Sequence, residues 1–110
     1  MDFKTACTLV SKQTTTDGSE PESFLARLQQ FESPIPGHAT SLLLALKVIA
    51  DGLKDSTTLE RSLAHGLYKL AYESRWTYEA GRRNNVEWPP LLDEDIERIA
   101  IAVAQIFSGA

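Results

Sequence analysis

The chain has 110 residues, a formal charge of −4, 43% apolar and 8% aromatic residues, one cysteine and two histidines. That length suits a single domain, since halves of about 55 residues would each struggle to bury a core. The apolar fraction excludes a wholly disordered chain, and the few scattered prolines and glycines exclude a collagen-like one.

No apolar run, Leu42–Leu46 among them, comes near the roughly 20 residues a membrane span needs. Met1-Asp2-Phe3-Lys4 lacks the basic-then-apolar order of a signal peptide, and a lone cysteine closes no internal disulfide. Both point to the cytoplasm. Eleven Lys and Arg face fifteen Asp and Glu. The most basic stretch, Arg61, Lys69, Arg75, Arg82 and Arg83, is interrupted by Glu60, Glu73 and Glu79, so neither nucleic acid nor a membrane surface is an expected partner.

Leucine and alanine far outnumber valine and isoleucine, and no window of four or more residues alternates strictly between apolar and polar with β-branched residues. The expected fold is an all-α bundle of about five helices. A first helix over 2–13, capped by Asp2, buries Phe3, Ala6, Cys7 and Val10. The capping box Ser19-Glu20-Pro21-Glu22 starts a second, with Phe24, Leu25, Leu28 and Phe31 inward, which Ser33-Pro34-Ile35-Pro36-Gly37 breaks. A third, over 38–54, is apolar nearly all round and reads as central. The capping box Thr57-x-x-Glu60 opens the fourth and longest, over 58–84, stopped by Asn84-Asn85. Helices three and four are the expected most buried pair. Trp88-Pro89-Pro90 stiffens a linker, and Asp93-Glu94-Asp95 heads a fifth helix that Gly109 closes.

At 100° per residue, the fourth helix separates into two sides. Leu59, Leu63, Leu67, Leu70, Ser74, Tyr78 and Gly81 form a core stripe. His65, Tyr68, Lys69, Tyr72, Trp76, Glu79 and Arg83 gather opposite, with Arg75 at the edge. Tyrosine, tryptophan and arginine carry binding energy at interfaces because they bury large area at low entropic cost. Residues His65, Tyr68, Tyr72, Arg75, Trp76, Arg82, Arg83 and Trp88 are therefore the candidate binding set. The competing expectation is that neighbouring helices cover these rings, and that Trp88 tucks over the end of the bundle.

Catalytic signals are weak. No close Cys or His pair suggests a metal site, no Glu-x-x-His supports a di-iron bundle, and no glycine belongs to a phosphate-binding loop; no cofactor is expected. Cys7 reads as a buried, inert thiol. His65 could act as a base only within a pocket, the acids 93–97 are explained by the helix dipole, and Gly66 reads as a close helix crossing.

Met1-Asp2-Phe3-Lys4-Thr5-Ala6, Pro34-Ile35-Pro36-Gly37, Leu44-Ala45-Leu46-Lys47-Val48, Gly81-Arg82-Arg83, Trp88-Pro89-Pro90-Leu91-Leu92 and Ile106-Phe107-Ser108-Gly109 give the chain a resemblance to a group of short cyanobacterial proteins over nearly its whole length. Some of that group carry the name dethiobiotin synthetase, a much longer α/β enzyme with a phosphate-binding loop that this chain lacks. The resemblance implies a cyanobacterial cytoplasm and no catalytic residue. The leading expectation is a non-enzymatic protein–protein interaction or assembly protein, with a second copy of itself among the partners. The alternative is a small-molecule or anion-binding domain with a pocket near His65, Tyr72 and Arg82.

Overall fold

A computed structural model describes residues 1–109 and contains five α-helices among them, with no strand: α1 (Phe3–Gln13), α2 (Phe24–Gln29), α3 (His38–Leu53), α4 (Arg61–Arg83) and α5 (Leu92–Ser108). The Asp2 carboxylate caps α1 by accepting the Thr5 N–H at 2.7 Å, and that bond holds its pKa below the usual aspartate value. Ala6 and Val10 are sealed in the core while Cys7 is half-buried. Phe3, expected inside, sits at the rim with its ring against α3 at Gly52, where a Cβ would overlap it.

Both expected capping boxes give way to other partners. Asp17 accepts the Ser19 N–H and hydroxyl, so 19–22 stays a turn. The second helix starts instead where the end of α1 pins it. Gln13 Oε1 accepts the Phe24 N–H at 2.8 Å, and the Ser23 hydroxyl donates to the Thr15 carbonyl while accepting the Ala26 N–H. Farther on, Ser56 Oγ bonds both backbone groups of Thr58, and Glu60 accepts from Ser62; α4 therefore begins at Arg61 rather than Thr58, without a side-chain cap.

Two helices end in the same way. At α2, the Phe31 and Glu32 N–H groups return to the Leu28 and Arg27 carbonyls, with Phe31 at φ +58°. At α4, Asn85 (φ +62°) and Val86 return to Arg82 and Gly81. This is the Schellman arrangement, which favours a residue tolerant of the left-handed region. Asparagine meets that need; phenylalanine does not, and its ring leaves the expected core stripe and is 40% exposed.

Helix α3 packs against α1 and α5, and α4 against α5, α1 and α2. The core is a leucine and isoleucine cluster drawn from all five helices, including Leu25, Leu46, Leu67 and Ile99. Helix α3 is lined by α1 and α5, and of its second apolar side Leu44 is half-exposed while Val48 is half-buried against the core. Helix α4 touches three neighbouring helices and still keeps one open side. Ser74, Thr77 and Gly81 are buried on it, and the α4–α5 connection comes close at Gly81 through Trp88. Among the described residues, no helix is long and apolar enough to cross a membrane.

Candidate functional site

The open side of α4 carries Tyr68, Tyr72 and Trp76, which are 52%, 53% and 59% exposed. They recur every four residues, so each ring is displaced about 40° from the last around one helical face. The Tyr68 and Tyr72 rings stack, 5.4 Å between centroids and 8° from parallel. Two half-exposed rings are thereby held in one arrangement before any partner arrives, which lowers the ordering cost of binding. Beside Trp76, a groove of about 410 Å³ runs between Phe31, Gln29 and the α4 residues Glu73, Thr77 and Ala80. Phe31, an expected core residue, thus adds a fourth exposed ring next to the stripe. Its turn position after a helix end was the signal available for this.

Two of the candidate residues belong to the architecture rather than to the open face. Trp88 donates its indole N–H to the Tyr78 carbonyl at 3.0 Å, stacks on the Tyr78 ring at 6.0 Å and meets Phe31 edge-on at 6.4 Å. It closes over Gly81, where a Cβ would lie 2.5 Å from the indole. It is a wedge between α4 and its connection to α5. Arg75 binds Asp93 at 2.6 Å and Glu97 at 3.4 Å across to α5, lies 3.6 Å from Glu79, and stands over the Tyr78 ring at 5.3 Å. Burial draws its pKa down, but the Asp93 hydrogen bond and the three carboxylates outweigh that, so the net shift is upward and the guanidinium stays charged. Asp93 and Glu97 thus have a structural task as ion-pair partners. Arg82 is exposed and 3.4 Å from Glu79, and Arg83 is exposed in the last turn.

The alternative pocket does not assemble. His65 and Arg82 lie on one continuous helix, 17 positions apart, and a rise of 1.5 Å per residue separates them by roughly 26 Å. His65 instead borders a polar cleft of about 380 Å³ between α4 and the end of α1, with Ser11, Asp17, Ser62 and Lys69 among its walls. Lys69 Nζ donates to Thr16 Oγ1 there at 3.1 Å. Gly66 lies on the cleft floor, yet a Cβ would rest 3.6 Å from Val10 and Thr14, in ordinary contact, so the crossing of α1 and α4 does not require glycine.

Burial, then the charge of Glu60, pushes the Cys7 thiol pKa up, away from the thiolate a nucleophile needs. His38 heads α3 with its Nδ1 buried and without a hydrogen-bond partner. Among the described residues, no group of three or more His, Cys, Asp or Glu side chains is placed to hold a metal ion. The open side of α4 therefore offers contact area, preset rings and a cationic end to the helix. No protein-family model matches the chain, and neither a curated protein nor a solved structure is significantly similar to it.

Proposed function

We propose that this chain is a non-enzymatic interaction protein of the cytoplasm that engages a protein partner through the outer face of α4. The observation that carries the reading is the row Tyr68, Tyr72 and Trp76, each more than half exposed, with the two tyrosine rings already stacked. Single exposed apolar residues are ordinary on protein surfaces, but large aromatic rings grouped on one face mark interaction sites. Arg82 and Arg83 extend the face at one end, and Phe31 widens it at the side. Arg75 and Trp88 support it from beneath: one ties α4 to α5, the other fixes the turn beyond Gly81.

The test is site-specific photo-crosslinking in cells. A benzophenone residue replacing Tyr72 should give one dominant adduct, and the same probe replacing Lys47, exposed on α3, should not. Excess unlabelled wild-type chain should compete the adduct away, and Trp76→Ala in the labelled chain should weaken it. Equal, diffuse labelling from both positions would overturn the reading.

A further inference from the structure

Resting on that reading, we propose that the partner is a second copy of this chain, docked antiparallel through α4 about a two-fold axis at Tyr72. The open side of α4 is made of Arg61, His65, Tyr68, Tyr72, Trp76, Glu79 and Arg83, spaced 4-3-4 before Tyr72 and 4-3-4 after it. A two-fold axis through Tyr72 therefore lays each stripe position onto another stripe position. Tyr68 meets the partner's Trp76, Tyr72 meets the partner's Tyr72, and His65 meets the partner's Glu79. Rings oppose rings in the middle, and a base opposes an acid about 10 Å to either side.

Charge selects the direction. A parallel pair would set Glu79, Arg61 and Arg83 each against itself, whereas the antiparallel pair replaces the Glu79–Glu79 conflict with two contacts in which Glu79 faces the imidazole of His65. Arg61 and Arg83 still oppose one another, but about 16 Å from the axis, where crossed helices have diverged into solvent. Glu79 is half-exposed and holds Arg75 and Arg82 only at 3.6 and 3.4 Å, so a carboxylate oxygen can accept a closer donor. Such an isologous contact is complete with two copies and leaves no open end.

Sedimentation equilibrium from roughly 5 to 500 µM tests this, the range expected for an interface below the standard 1,600 Å². The wild-type chain should reach a dimer. Trp76→Ala should weaken it at least about tenfold, and Tyr72→Arg, which sets like charges on the axis, should abolish it. His65→Glu and Glu79→Lys should each weaken the dimer, and the two together in one chain should restore it; circular dichroism checks that each variant keeps its helices. A wild-type chain that stays monomeric, or a dimer that ignores Trp76→Ala and Tyr72→Arg, overturns the proposal, as does failure of the charge swap to rescue. A monomer whose Tyr72 probe still captures a different protein leaves the interaction reading standing without self-pairing. A monomer that captures nothing removes both.

Discussion

The two tryptophans lie twelve positions apart and do opposite work. Trp88 has its N–H bonded, one face stacked on Tyr78 and its edge seated over Gly81; Trp76 has more than half its surface in water and a groove beside it. The same residue type is a wedge in one place and an open contact in the other. What decides is whether a small residue and a carbonyl acceptor wait where the indole lands. Buried indoles need a partner for the N–H, and the Tyr78 carbonyl of α4 supplies it for Trp88.

Substitutions at the two sites can break or sharpen this contrast. The largest expected effect is Trp88→Ala, which removes two ring contacts and a hydrogen bond and should lower unfolding stability by about 2–4 kcal/mol in urea titrations. Gly81→Ala follows, at about 1–3 kcal/mol, because its methyl would displace the indole; if it proved neutral, Trp88 would not be seated as described. Trp76→Ala should change stability by no more than about 0.5 kcal/mol in dilute solution. A larger loss would show that Trp76 is part of the fold. Smallest is the contribution of the Asp2 cap. Its carboxylate pKa is lowered on folding, so its stabilisation is fully present above the unfolded value, ordinarily near 3.9, and is lost as pH falls through the lower folded value. Amide exchange of Thr5 should rise over that window in the wild type relative to the amide of Leu46, buried within α3, and Asp2→Asn should remove the dependence.

Helix periodicity was legible because it is local: Leu42, Leu46 and Ile49, or Ile96, Ile99 and Val103, show their shared face within a few residues. The stops at Asn84-Asn85 and Gly109 were legible for the same reason, since both adopt the left-handed region they suit. The two capping boxes were misleading because Asp17 takes Ser19, because Ser56 takes the Thr58 backbone inside the Thr57-x-x-Glu60 box, and because Gln13 reaches eleven positions forward to start α2. A helical wheel also places Arg75 at the edge of the aromatic face, but it says nothing of Asp93 and Glu97, 18 and 22 positions away, which occupy it. Whether Tyr68, Tyr72 and Trp76 were covered depended on where α2 and α5 came to lie, which no single helix encodes. The candidate face was therefore visible as a grouping, and its openness was not.

The contrast between the indoles has a practical consequence. Ultraviolet excitation reaches two chromophores in different surroundings: Trp88, stacked and hydrogen-bonded, and Trp76, bathed by solvent. With Trp76→Phe, emission becomes a gauge of folding that an external quencher reaches poorly; with Trp88→Phe, the remaining signal is readily quenched and becomes a gauge of docking. One polypeptide thus contains its own pair of optical reporters, one for its integrity and one for its company.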